Sequence, residues 1–345
     1  MRKIILSVLV FLLFINLDFL YSGNSANYLY LIQKNGKYGY INKAGEVAIK
    51  PKFDRAYKFV DNRARIKKGN KFGYINKKGE IIVKPDYLKA QNFSEGRAAV
   101  KIKDRWGFIN PDGKLVIEPR YLKVRSFQDG LSCVRVFNDY FLFFKDKRWG
   151  YINQKGEYVI EPKYMNVISF ANDVAPVMIR KQILIIPAIR KWICINTRGD
   201  TLFGGKEFDS IHRFNSGLAF AHKGDRTGFI DRTGKFIIDT DRFEICYGFS
   251  ENRARFKKDN LWGFIDTTGE IIIEPEYKYA KDFKDGLAPV KISGKWGYID
   301  QFGQVVIPAQ FSNANHFEKG LARASRGNQK GYINKQGDFV WINNQ

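Results

Sequence analysis

A single phrase recurs along this chain from end to end: an aromatic residue, Gly, Tyr or Phe, Ile, Asn or Asp, two further residues, Gly. It reads Tyr38-Gly39-Tyr40-Ile41-Asn42 and returns at Phe72-Gly73, Trp106-Gly107, Trp149-Gly150, Trp262-Gly263 and Trp296-Gly297; Thr227-Gly228 and Lys330-Gly331 lack the aromatic. Successive glycines lie 34, 34 and 43 residues apart over the first four copies, and 35, 34 and 34 over the last four. A degenerate copy, Trp192-Ile193-Cys194-Ile195-Asn196, divides the long gap between them. Nine units result, starting near residues 38, 72, 106, 149, 192, 227, 262, 296 and 330. A fixed period of this size means that each unit is one supersecondary element whose apolar face is covered by its neighbours.

The unit beginning at Trp262 shows what one copy contains. Trp262 to Asp266 and Ile271 to Ile273 are short β-rich runs separated by Asp266-Thr-Thr-Gly269. That is hairpin chemistry, with an Asp side chain capping the turn and Gly in the left-handed position. Pro275 cannot donate to a ladder and is expected to close the second strand. The stretch through Tyr277, Ala280 and Phe283 then crosses over, and Leu287 to Ile292 alternates as a third strand. No sustained 3.6-residue periodicity follows the N-terminus, so helix is expected to be minor.

These features predict an all-β tandem array of about nine three-stranded units. An open, superhelical, solenoid-like array is the favoured geometry, because 34 residues is short for a four-stranded blade, whose usual repeat is about 40–45 residues. A closed, propeller-like ring is the alternative. Tyr28 to Lys37 matches the third strand of a unit, whereas Lys330 to Gln345 holds only the first two. In a ring the N-terminal strand could complete the last unit.

Residues 1–25 differ in kind. Arg2 and Lys3 precede an apolar run from Ile4 to Ile15, and Ser22, Gly23, Asn24, Ser25 and Ala26 follow. This order predicts a cleaved secretory signal and an exported protein in the periplasm, at the cell surface or outside the cell, with residues 26–345 as one repeat domain. An uncleaved anchor is the alternative, although Asn16 and Asp18 interrupt the run below the roughly 20 residues a span needs. No second apolar segment of the mature chain is long enough to span a membrane. Cys133, Cys194 and Cys246 fall in packing slots of the repeat and are expected as buried free thiols, with neither a disulfide framework nor a zinc spacing.

The formal net charge of +23 is graded along the array. Residues 38–71 carry +7, 72–105 carry +4, 106–148 and 149–191 carry +3 each, and 192–329 together only +2. Strand alternation in Arg63-Ala-Arg-Ile-Lys-Lys68 sends Ala64 and Ile66 to one side and Arg63, Arg65 and Lys67 to the other. Arg97, Lys101 and Lys103 repeat the pattern one unit later. These six are the candidate partner-binding residues: stacked in register, they form a stripe that attracts a polyanion. The competing reading makes them solvated faces and edge-protecting charges of a β array. Export disfavours nucleic acid as the partner.

Trp106, Trp149, Trp262 and Trp296 are alternative candidates as stacking platforms for sugars, against a packing role over the neighbouring hairpin. The recurring Asn or Asp (Asn42, Asn76, Asn110, Asn153, Asp266, Asp300) reads as a turn cap, since no second carboxylate recurs in the pattern a calcium loop needs.

The unit Trp-Gly-Tyr/Phe-Ile-Asp/Asn-x-x-Gly-x-x-Val/Ile-Ile-x-Pro-x-Tyr/Phe, continued by Phe-x-x-Gly-Leu-Ala-x-Val, resembles the WG-repeat (KWG-repeat) family of bacterial proteins from about residue 28 to 345. Departures are Ile193 in place of Gly, Pro308 one place early, no Pro in the units starting near 192 and 227, and insertions near 138–147 and 179–190. The resemblance implies a β-rich, often exported scaffold and transfers no catalytic residue. His212, His222 and His316 sit in no metal or nucleophile motif, and no phosphate loop, Gly-x-Ser-x-Gly or His-Glu-x-x-His occurs. Paired carboxylates such as Asp239 and Asp241 read as solvated groups. The reading is therefore a non-enzymatic scaffold without cofactor or metal, binding a protein or an anionic envelope polymer. A carbohydrate or cell-wall module and a passive spacer are the alternatives.

Overall fold

The computed structural model of the chain describes residues 28–138, 146–183 and 186–343. The expected signal segment, residues 1–25, lies outside them. Among the described residues the chain forms nine antiparallel sheets, and one short 3-10 turn, Phe203–Gly205, is the whole of the helix. No helix there is long and apolar enough to cross a membrane.

Most sheets have four strands, not three. Blade 2 is representative: Arg55–Val60, Arg63–Lys68, Lys71–Ile75 and Ile81–Tyr87 pair in chain order. The stretch read as a crossover is its first strand, with Ala56 opposite Ile66 and Phe59 opposite Ala64. Thirty-four residues suffice because the connections are minimal: Asp61-Asn62 and Gly69-Asn70 are two-residue turns, and Leu88 alone links the blade to the next. Each blade joins the second half of one sequence unit to the first half of the next.

The open array is overturned by the way the ends meet. In eight of the nine blades the glycine of the turn before the fourth strand lies against the fourth strand of the blade before it; Gly234, after blade 5, meets Phe203 instead. Gly79 meets Ile49, Gly113 meets Val83, Gly303 meets Ile273 and Gly337 meets Ile307. Gly45 of blade 1 (residues 30–53) meets Val340 of blade 9 (residues 313–342) in the same manner. The array is a nine-bladed β-propeller. Among the described residues closure uses no shared strand: Tyr30–Lys34 pairs within blade 1, and blade 9 supplies all four of its own strands. Packing closes the ring through Tyr30, Ile32, Ile41, Leu321 and Tyr332. The Tyr332 hydroxyl donates to the Leu31 carbonyl at 2.8 Å, and Lys58 pairs with Glu318.

Blades touch along their inner strands, where Ser94 donates to the Phe127 carbonyl at 2.8 Å and Ser250 to that of Phe283 at 2.7 Å. First strands therefore converge on the axis. Fourth strands form the rim and expose Val47, Ile81, Val116, Val159 and Val305. Pro275 does not end its strand, which runs from Ile271 to Tyr277; the register slips between the Phe264–Ile273 and Trp262–Tyr277 pairs, and the proline occupies the bulge. A missing N–H is harmless on an outer edge.

The same bulge explains the invariant glycine of the phrase. A β-carbon on Gly263 would lie 2.5 Å from the Ile273 carbonyl oxygen and 2.8 Å from the Pro275 nitrogen. Ile193 occupies this place in blade 5, and there the fourth strand is absent, reduced to isolated bridges from Ile195 to Thr201 and from Trp192 to Phe208. The turn cap is also as expected: Asp266 Oδ1 accepts from the backbone N–H of Thr268 at 2.9 Å and of Glu270 at 3.1 Å, and Gly269 has φ +91°.

The residue after the glycine stitches blades together. Tyr40, Tyr74 and Tyr298 are fully buried and donate to the carbonyls of Tyr57, Gln91 and Asn315 in the next blade at 2.7, 2.6 and 2.8 Å. Burial raises each of these phenols above its ordinary value. Cys194 takes the same slot, and burial pushes its thiol up to about 12. Unfolded, these groups release protons that the folded ring retains, so stability falls as pH rises above the ordinary thiol value of 9.0. Cys194 alone contributes a slope of about 1.4 kcal/mol per pH unit until its folded value is reached. Urea midpoints measured from pH 7 to 10.5 are expected to be level and then to drop; a midpoint held constant to pH 10.5 contradicts this account.

Candidate functional site

The pairing register lays a row of side chains straight across each blade, from axis to rim. In blade 2 the row is Arg55, Lys67, Phe72, Tyr87. In blade 3 (residues 89–121) it is Lys89, Lys101, Trp106, Tyr121, and in blade 4 (residues 123–164) Lys123, Arg135, Trp149, Tyr164. Three consecutive blades therefore set two cations directly opposite each other, followed by two aromatic rings. Later rows differ: Asn166 faces Met178, Ser210 faces His222, Ile245 faces Lys257 and Asn313 faces Ser325.

Like charges directly opposite on paired strands destabilise a sheet, by roughly 0.2–1 kcal/mol per pair. No carboxylate relieves them: among the described residues none of the six cations of these rows enters an ion pair. Several cations of the later blades are matched. Arg255 meets Asp282 at 2.6 Å, Lys257 meets Glu244 at 3.8 Å and Arg226 meets Asp239 at 2.7 Å.

Rows 3 and 4 open onto a cleft of about 910 Å³ that continues to blade 5 (residues 166–208). It is lined by Lys89, Lys101, Lys123, Arg125, Arg135 and Arg190, with Trp106, Trp149, Met165 and Met178 between them and no carboxylate. Arg125 and Arg135 lie over Trp149 at 5.7 and 5.9 Å, and Arg135 Nε is buried without a hydrogen-bond partner among the described residues. The two enlarged hairpins border the same side. Their strands are Ser132–Asn138 with Asp146–Ile152, and Ala175–Ile183 with Ile186–Ile195, the last carrying Arg190.

The candidate residues of the sequence stripe divide. Alternation is as expected, with Ala64 and Ile66 buried. Arg63 and Arg97, however, reach across to the next blade and donate to the carbonyls of Pro111 and Gln154, both at 3.3 Å. Arg65 stacks on Tyr57 at 3.9 Å and donates to the Ala90 carbonyl. Lys67 and Lys101 belong to the rows, and Lys103 is exposed in a turn. Arg55, Lys89, Lys123 and Arg135 were not anticipated. For the first three the signal was a basic residue just before the small apolar one in the supposed crossover, as in Arg55-Ala56, Lys89-Ala90 and Lys123-Val124.

The alternative platforms are partly covered. Trp149 is 7% exposed, and Trp106, Trp262 and Trp296 are half-buried. Arg255 lies over Trp262 at 5.1 Å and Lys281 over Trp296 at 5.0 Å. Cys133 and Cys194 are buried and Cys246 is half-buried, all as free thiols.

Seven tandem segments match the WG containing repeat: residues 38–72, 72–106, 106–140, 149–181, 228–262, 262–296 and 296–329. The chain belongs to the WG-repeat family. No curated protein matches this WG-repeat chain in sequence. Among solved structures it is similar to a eukaryotic initiation factor, with TM-score 0.61 and 11% identity over 92% of this chain and 96% of that one. Lower TM-scores of 0.38 and 0.39 relate it to AztD from Citrobacter koseri and to the β-propeller domain of the trilobed protease from Pyrococcus furiosus. These are 12% and 11% identical, covering 80% and 90% of this chain and 92% and 99% of theirs. At such identities the first likeness speaks for the fold alone.

Proposed function

We propose that this WG-repeat propeller is an exported, non-catalytic scaffold that binds an anionic envelope polymer across the cation rows of blades 2 to 4. The observation that carries the reading is the cross-strand pairing of Arg55 with Lys67, Lys89 with Lys101 and Lys123 with Arg135, left without carboxylate partners. An arrangement that weakens the sheet is retained where a ligand of opposite charge relieves it. A polymer suits the site because the motif repeats blade after blade, offering charge at regular intervals instead of one pocket.

Heparin serves as the first probe, followed by isolated envelope polysaccharide. Binding that weakens linearly in log affinity against log salt, with a slope of several units, is the expected result. Binding that is insensitive to salt and lost on replacing Trp106 would shift the reading to sugar stacking. No binding to either probe removes the polymer.

A further inference from the structure

Between blade 6 (residues 210–239) and blade 7 (residues 245–277), two departures from the repeat fall at one spot. The inner segments of the other blades among the described residues set a side chain directly before their buried phenylalanine, from Lys58 and Asn92 to Asp282 and His316. Blade 7 has Gly248 in that place, and nothing lies within 4 Å of a β-carbon built on it. The second departure is Phe220. By register it stands opposite Phe229 as Arg65 stands opposite Tyr74 and Arg255 opposite Phe264.

The next interface along the ring shows what fills the same space elsewhere. Arg255 of blade 7 meets Asp282 of blade 8 (residues 280–311) at 2.6 Å, an ion pair that joins the two places in question. Between blades 6 and 7 those places hold a phenyl ring and no side chain, and a cavity of about 360 Å³ is left. Its floor is Leu218, Phe220, Phe229 and Phe249, of which all but Phe220 are buried. Phe229 packs 5.3 Å from Phe220 and 4.8 Å from Phe249, and it lacks the hydroxyl with which Tyr40 and Tyr74 reach the next blade. The floor therefore offers apolar surface alone.

The mouth is polar. His212, Arg213 and Asn215 line it at exposed positions, with the His212 ring 5.7 Å from that of Phe220. Arg213 donates one N–H to the Phe170 carbonyl at 3.2 Å, and among the described residues it enters no ion pair. No carboxylate lines the cavity, so the complement to its one cation has to come from an occupant. An apolar cavity of about 150 Å³ is enough for a benzene ring. This one has room for a ring and a short side chain.

We propose that the cavity binds a small aromatic carboxylate, with the ring on the phenylalanine floor and the carboxylate at Arg213. Burial of the ring supplies the affinity, and the guanidinium, whose forked donors match a carboxylate, selects the anion. The cavity lies outside the cation rows of blades 2 to 4, so it stands or falls independently of the polymer reading.

Phenylacetate is the first probe, titrated into the full chain and followed by NMR line broadening. Acetate, which lacks the ring, and phenethyl alcohol, which lacks the charge, are titrated beside it. Phenylacetate is expected to bind about tenfold or more tightly than either. Gly248→Leu puts a side chain into the cavity and is expected to weaken phenylacetate by about tenfold or more. Its thermal midpoint should be unchanged, since nothing stands where the new β-carbon goes. Arg213→Gln, at an exposed position, is expected to bring phenylacetate down to the level of the alcohol, and it decides the matter if Gly248→Leu fails to fold. Absence of phenylacetate binding at millimolar concentration overturns the proposal, as does an alcohol that binds equally well. Binding that survives both substitutions also overturns it, and displacement by heparin would then assign the anion to the cleft of blades 3 to 5.

Discussion

Replacing Gly263 with alanine is expected to lower the unfolding free energy by about 3 kcal/mol, as overpacking against unyielding atoms does. The added carbon meets backbone on all sides, with the Ile273 oxygen at 2.5 Å, the Pro275 nitrogen at 2.8 Å and the Glu274 carbonyl carbon at 2.9 Å. No rotamer change relieves such a contact, so the outer strand must move away from Leu261–Ile265. Blade 5 shows the outcome, since Ile193 there coincides with the loss of the fourth strand. Gly248 is the control: nothing lies within 4 Å of an added carbon and its φ is ordinary. Gly248→Ala is expected to stay within about 0.5 kcal/mol of the parent. Equal urea midpoints for Gly263→Ala and Gly248→Ala would refute the role given to the bulge.

Combined replacement of Lys89, Lys101, Lys123 and Arg135 by glutamine is expected to reduce heparin binding by about a hundredfold or more at moderate salt. The log–log salt slope should fall by roughly three units, since each cation that leaves the interface removes close to one. The same variant is expected to gain stability, by about 0.5–1 kcal/mol, because it removes two like-charge cross-strand pairs. Opposite signs for binding and stability distinguish a binding surface from a structural one. Unchanged heparin affinity would end the polymer reading, and a loss of stability would reassign these cations to the fold. Arg63→Gln and Arg97→Gln are expected to do the reverse, weakening the ring through the lost bonds to Pro111 and Gln154 while leaving the rows intact.

The repeat, its hairpin turns and the alternation of Arg63 to Lys68 were legible because each depends on residues close in sequence. Ring closure was not, because it rests on contacts such as Gly45 with Val340 and Tyr30 with Tyr332, which no local pattern records. The first strand escaped notice for a related reason. Ala56 and Phe59 are separated by a register slip, so the stretch lacks the strict period of two by which strands are recognised. With that strand went half of each cation row. Arg63 and Arg97 were correctly placed on the polar side of their strand, yet that side faces a neighbouring blade as well as solvent.

Nine similar blades would give a rotor with no zero mark, on which a ligand could settle at any of several equivalent angles. The cross-strand cation pairs of blades 2 to 4 break that equivalence over one arc. A ligand held by that arc sits at one azimuth of the ring. Divergence among the repeats thus supplies an address on an otherwise uniform ring.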